Sequence, residues 1–204
     1  MTQNIWLFLL SVVGISLSGV MLPGPLTAAV IARGYNDKNA GAIIAVGHGI
    51  IELPIIALIY FGFASYLTIP IVRQVTGVAG GLMLIVMGAL IFLAFKKPLG
   101  EAVPLPYNSL VTGMVMTGGN PYFFLWWATI GVALVGSAVS FGWQGMLLLV
   151  VVHLACDIGW DQVVSMTVFK TRHLWTVNVQ RTIFGICAVV LIGFGIWFGV
   201  SVFL

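Results

Sequence analysis

Two short patterns carry the residue types that do chemistry. His48 is followed four residues later by Glu52, and His153 by Asp157 and then, four further on, by Asp161. Residues four apart share one face of a helix, so His48 points with Glu52, and His153 points with Asp157 and Asp161. An imidazole titrates near neutral pH and can relay protons. A carboxylate can hold a proton, an ammonium group or a metal ion. The same imidazoles and carboxylates suit Zn²⁺, Mn²⁺ or Ni²⁺, and His48, Glu52, His153 and Asp157 form the candidate ligand set for that alternative. Taken singly, either histidine is as readily an interhelical hydrogen-bonding group as a functional one. Asp161 is within reach of Lys170, Arg172 or Arg181, and a structural pairing with one of these is its simpler expectation.

The elements that position these residues follow from composition. The chain has 204 residues, 61% hydrophobic and 6% charged, where a soluble domain carries about 25% charged residues. Its mean hydropathy is +1.16. Such a chain cannot cover itself with a polar surface, which excludes soluble enzymes, nucleic-acid binders and disordered regulators. The net charge of +3 comes from eight Lys and Arg against five Asp and Glu, too scattered to track phosphates. Cys156 and Cys187 both lie in apolar runs, so neither a disulfide framework nor a structural zinc cluster is expected. The chain reads as an all-α integral membrane protein.

A spanning helix needs about 20 apolar residues, and six candidates meet this: 5–32, 41–65, 70–95, 109–136, 144–168 and 182–204. The first has no basic leader and no small-residue cleavage site, so it is expected to stay as a helix. Arg33 and Lys38, Lys96 and Lys97, and Lys170, Arg172 and Arg181 fall in loops one, three and five; only Arg73 falls on the other side. Basic loops face the cytoplasm, so both termini are expected outside, with the protein in the cytoplasmic (inner) membrane of the cell. Several tryptophans lie near span ends as an interfacial belt requires, but Trp126 and Trp127 lie deeper than that rule allows.

The chain repeats itself. Each half has three candidate spans, and the second span of each carries a His followed by an acid. Each first span is broken by proline: Leu22-Pro23-Gly24-Pro25 in one half, Gly118-Gly119-Asn120-Pro121 in the other. An odd number of spans inverts the second half relative to the first. The expected organisation is therefore a repeat over 1–97, a cytoplasmic linker over 98–108 and an inverted repeat over 109–204. Inverted repeats with interrupted helices point to a secondary transporter whose site lies near the midplane. Glu52, Asp157 and Asp161 are three of the five acids, and no Lys or Arg lies in the two spans that hold them, Arg33, Arg73 and Lys96 being at span edges. A charge at the bilayer centre costs about 3 kcal/mol even on lenient scales. These acids must therefore be protonated, paired with histidinium or bound to a cation. Broken helices expose an N-terminal dipole able to hold a carboxylate, while Asn120 both donates and accepts. Thr27 and Thr117 flank the breaks. Third spans carry small-xxx-small pairs, Gly77 with Gly81 and Gly195 with Gly199, which can pack within one chain or against a second copy in a homo-oligomer.

The first span ending LPGPLTAAVIARGY, the second containing VGHGIIELP and the fourth entering through GGNPYFFLWW resemble the lysine-exporter (LysE/RhtB) family of amino-acid exporters. The likeness covers essentially the whole chain. Leu22-Pro23-Gly24-Pro25 stands for the family's GPGP-like motif, Asn120-Pro121 for its Asn-Pro, and Glu52 for its second-span acid. Tyr122 stands where a lysine is usual, and His48 and His153 are departures. The wider superfamily includes divalent-metal exporters.

The resemblance implies export of amino acids. Proton coupling is the expected drive, with carboxylate binding by Pro23, Gly24, Pro25, Asn120 and Pro121. Glu52 and Asp157 would take the ammonium or a proton, and His48 and His153 would relay protons; no cofactor is expected. The alternative is a divalent-metal exporter. An intramembrane enzyme is not expected. There is no His-Glu-x-x-His helix, and no cysteine lies beside either helix break.

Overall fold

The computed structural model describes residues 4–21, 24–63, 70–93 and 107–203. Leu22, Pro23, Lys96, Lys97 and most of the 98–108 linker lie outside the described residues. The chain is helical throughout what is described. Helix α1 spans Ile5–Val20, α2 Pro25–Gly34, α3 Ala40–Tyr60 and α4 Pro70–Leu93. Helix α5 spans Ser109–Gly118 and α6 Pro121–Trp126, which runs through a π-helical turn, Trp127–Gly131, into α7, Val132–Val139. Helix α8 spans Gly142–Thr171 and α9 Val177–Ser201.

Caps and breaks explain these boundaries. Asn4 begins α1 by accepting from the Trp6 and Leu7 amides, and Asn108 begins α5 by accepting from the Val111 amide. Proline lacks the N–H that would continue a helix but suits its first turn. Pro25 and Pro121 accordingly open new helices, α2 and α6. Helices α1 and α2 meet at a bend of 75°. Gly142 turns the chain into α8 with φ of +65°, a conformation that glycine adopts without steric cost.

Over its described residues, each segment expected to span is largely helical. Among the described residues, four helical stretches are long and apolar enough to cross a membrane: Ala40–Tyr60, Pro121–Val139, Gly142–Leu174 and Val177–Ser201. The bent pair α1–α2 makes a fifth if it counts as one span. The third expected span, 70–95, is helix α4, whose apolar part is Gly77–Leu93. The fourth, 109–136, is divided at Gly119–Asn120 between α5 and the stretch that begins with α6.

The helices are built for lipid as solvent. On α8 the buried stripe is Gly145, Leu149, His153, Asp157, Asp161 and Ser165, whereas Leu147, Val151 and Val163 are exposed. Polar groups thus face inward and aliphatic ones outward, the reverse of a soluble helix. One apolar cluster joins α2, α4 and α9 through Ala29, Leu84, Met87 and Leu191. A second joins α1, α3, α7 and α8 through Val12, Ile56, Leu134 and Leu149.

Since lipid tails are as apolar as leucine, helices associate by close packing of small residues. Gly81 packs against the backbone of Gly195 and Gly199, so these small-residue stripes pair α4 with α9 inside one chain. Gly47 meets the Leu110 carbonyl, and Gly113 meets the Ile44 carbonyl and the His48 amide, which locks α3 to α5. Near the Lys170 end, α8 is fastened to the α2–α3 connection. Gln162 donates to the Lys38 carbonyl (3.1 Å) and accepts from the Ala42 amide (3.2 Å). Ser165 donates to the same Lys38 carbonyl (3.0 Å), and Arg172 donates to the Tyr35 carbonyl (2.8 Å). Gly34 and Gly41 permit this approach, lying directly on the backbone of Ser165 and Asp161.

A Gly113→Leu variant should therefore lose about 1–3 kcal/mol or more from overpacking. Gly14, with open space around its Cβ position, should accept alanine without loss. Thermal unfolding in detergent, followed by tryptophan fluorescence, should give a lower Tm for the first variant alone. Equal Tm values would mean that the α3–α5 contact is not close.

Candidate functional site

The site forms where α3 and α8 face each other. Glu52 lies one turn beyond His48 on α3, and Asp157 one turn beyond His153 on α8. Glu52 is 1% exposed and Asp157 4%. The structure brings both His–acid patterns into one cluster centred on a single atom, Glu52 Oε1. His48 Nε2 and His153 Nε2 each lie 3.1 Å from it. Trp127 Nε1 donates to the same oxygen at 3.1 Å. Asp157 Oδ2 stands 3.5 Å from His153 Nε2 and 3.9 Å from His48 Nε2. Glu52 Oε2 and Asp157 Oδ2 are buried and accept no hydrogen bond from the described residues.

Hydrogen-bond bookkeeping limits where the protons sit. Thr117 donates its hydroxyl proton to the Gly113 carbonyl at 2.8 Å, so towards His48 it can only accept. His48 Nδ1, 2.8 Å from Thr117 Oγ1, must then carry hydrogen. The remaining bond, Nε2 to Glu52 Oε1, holds one proton. It sits on the imidazole, giving an imidazolium–carboxylate pair, or on Glu52, giving two neutral groups. His153 is less constrained: its Nδ1 lies 2.7 Å from Ser16 Oγ, and a hydroxyl can either donate or accept. Trp127 is a donor in every state, so one lone pair of Oε1 is always engaged.

Aromatic rings enclose the cluster. Trp126 stacks on His153 with centroids 5.9 Å apart, and Phe123 meets His48 edge-on at 5.4 Å. A cavity of about 340 Å³ adjoins them, near the small end of the ~300–1,000 Å³ range for ligand pockets. His48, Glu52, His153 and Asp157 all line it, as do Gly24 and Asn120 at the two helix breaks. The breaks differ chemically. Asn120 Oδ1 already accepts from the Tyr122 and Phe123 amides. Helix α2 starts at Gly24–Pro25 with no side-chain cap, and Leu26 of its first turn lines the cavity. Pro25 and Pro121 set these helix starts; Pro23 lies outside the described residues.

Asp161 departs from its simpler expectation. It is buried, its Oδ2 accepts no hydrogen bond, and among the described residues no ion pair joins it to Lys170, Arg172 or Arg181. Arg172 is committed to the Tyr35 carbonyl and to the Phe169 ring. Asp161 is also not among the residues lining the cavity. Sequence reasoning missed Ser16, the Trp127 indole and the rings of Phe194 and Phe198. The depth of Trp126 and Trp127 in their span was the available signal for the indole. Ser16 carried none, since Ser11 and Ser18 on the same helix merely bond their own backbone.

His48, Glu52 and Asp157 each offer a ligand atom within 4.8 Å of the others. Ligand atoms with Zn–N and Zn–O bonds of about 2.0–2.2 Å lie roughly 3.3–3.6 Å apart around a tetrahedral ion, so the set would have to draw together to hold one.

A lipid-facing helical chain that keeps imidazoles and carboxylates around an interior cavity of metabolite size has the build of a small-solute transporter. Residues 17–201 match the LysE type translocator family, and the chain belongs to that family of multi-pass membrane transporters. It is 27% identical over 194 residues to a Bacillus subtilis (strain 168) protein named "Putative amino acid efflux protein YcgF", covering 92% of each chain. No solved structure gives a significant match.

Trp127→Phe removes a hydrogen bond to a buried carboxylate, worth about 1.5–3 kcal/mol. Trp126→Phe removes stacking area but no hydrogen bond. The Trp127 variant should show the larger fall in Tm in detergent. If the two fall equally, the indole bond contributes nothing.

Proposed function

We propose that this chain is a proton-coupled secondary exporter of amino acids. Its spans would form an inverted 3+3 repeat with the substrate bound between the halves. The halves are 1–97 and 109–204, joined by a cytoplasmic linker at 98–108, with both termini outside the cytoplasmic membrane. The likeness of the two halves supports this reading: a break precedes α3 in one and α8 in the other, and each of these helices bears a His–acid pair. The name of the Bacillus relative supports the substrate class.

One observation carries the proposal. Glu52 Oε2 and Asp157 Oδ2 are buried and accept no hydrogen bond from the described residues, Asp157 Oδ2 having only the two imidazoles at ion-pair distance, and both residues line the cavity. An ammonium group has three donors and no acceptor, so it complements those two oxygens. The substrate carboxylate then goes to the uncapped start of α2 at Gly24–Pro25, where the helix dipole favours an anion. Asn120, with its oxygen already used, offers its side-chain NH₂. An ammonium and a proton compete for the same carboxylates. Arrival of the substrate therefore drives the shared proton off Glu52 towards His48 or His153, and the proton and the zwitterionic substrate cross the membrane in opposite directions. Rocking of one half against the other exposes the site alternately to each side.

A second reading, export of a divalent metal, is favoured by the closeness of the His48, Glu52 and Asp157 ligand atoms. Counterflow of labelled amino acids in proteoliposomes separates the two. We expect amino-acid accumulation that divalent metals leave unaffected and that Glu52→Gln lowers at least about 100-fold. The amide keeps an oxygen for the Trp127 donor, so the variant should retain its Tm. Saturable metal flux without amino-acid counterflow would replace the exporter reading with the metal one. Undiminished flux in the Glu52 variant would remove the acid from the mechanism.

A further inference from the structure

The cavity is lined by both polar and apolar groups, the apolar ones including Val20, Leu26, Met116, Phe123 and Trp126. Helices α1, α3, α5 and α8 bring Ser16, His48, Glu52, Thr117, His153 and Asp157 to it. Helix α9, which packs on α4 and α2, contributes only the rings of Phe194 and Phe198. These two rings lie 5.5 Å apart, centroid to centroid. Phe198 is buried in the cluster that joins α2, α4 and α9, with Phe194 packed against it. Among the described lining residues there is no lysine or arginine.

Resting on the amino-acid reading above, we infer that the transported class is neutral amino acids with large apolar or aromatic side chains, selected by Phe194 and Phe198 of α9. The polar wall takes the substrate's ammonium group, and α2 its carboxylate. The side chain is left to the phenylalanine wall. A branched or aromatic side chain gains about 0.8 kcal/mol for each buried CH₂. An acidic side chain would bring a second anion to a site whose histidines are already engaged with Glu52. A lysine side chain would bring a second cation to the rings. Cation–π attraction there is worth roughly 0.5–2 kcal/mol, against about 3 kcal/mol for a charge at bilayer depth. Exclusion outweighs attraction for both charged classes.

The test is counterflow in proteoliposomes containing the full chain, with leucine, phenylalanine, alanine, lysine and glutamate as separate labelled substrates. Leucine and phenylalanine should exchange at least tenfold faster than lysine or glutamate at equal concentration. Phe194→Ala should raise KM for leucine and phenylalanine several-fold more than for alanine, because only the larger side chains reach the ring. A purely structural role would instead depress all substrates by one factor, and that outcome would overturn the assignment of Phe194. Preferential exchange of lysine or glutamate would overturn the substrate class while leaving amino-acid export standing. No exchange of any amino acid, from protein that retains its unfolding transition, would overturn both readings.

Discussion

The structure depends on how a carboxylate is kept inside a helical bundle where, among the described residues lining the cavity, there is no lysine or arginine. Glu52 is surrounded by an indole donor and two imidazoles, all directed at one oxygen. An unpaired charge at bilayer depth costs several kcal/mol, so in this conformation the cluster ties α3, the π-helical turn and α8 together. The π turn re-phases the helix by one residue at Trp127, a device found often at functional positions. Thr117 and Ser16 then hold the far sides of the two imidazoles, extending the network to α5 and α1.

That arrangement is supplied by packing that uses no hydrophobic effect between helices. Glycines at 47 and 113 bring α3 and α5 into backbone contact beside His48, which places its imidazole within reach of Thr117. The pairing of α4 with α9 works in the same way on the far side of the cavity. Gly80 of α4 also lies directly on Gly119 at the α5–α6 break, so the interruption in the helix is braced by a neighbouring backbone. Satisfying a broken helix from within the protein is what permits irregular backbone at membrane depth.

Much of this was legible in the sequence, for identifiable reasons. One-turn spacing put each His with its acid, and proline chemistry marked Pro25 and Pro121 as helix starts. Composition marked the bundle as membrane-embedded. What escaped was whatever depends on rotation or on main-chain partners. Nothing local says which way the Trp127 indole turns, because the π turn that aims it has no sequence signature. The expected partner of Asp161 was a basic side chain, but Arg172 went to a backbone carbonyl instead. The two rings of α9 were indistinguishable from lipid-facing phenylalanines until tertiary packing turned them inward.

The fastening of α8 to the α2–α3 connection uses main-chain atoms of Tyr35, Lys38 and Ala42, with side chains of Gln162 and Ser165 on α8 and of Arg172 just beyond its end. Four such hydrogen bonds, at about 0.5–1.5 kcal/mol each, sum to roughly 2–6 kcal/mol. That is the size of the gap separating a dominant conformer from one populated at a few per cent or less. Releasing this end of the bundle would thus take a free energy comparable to that of binding a single small solute.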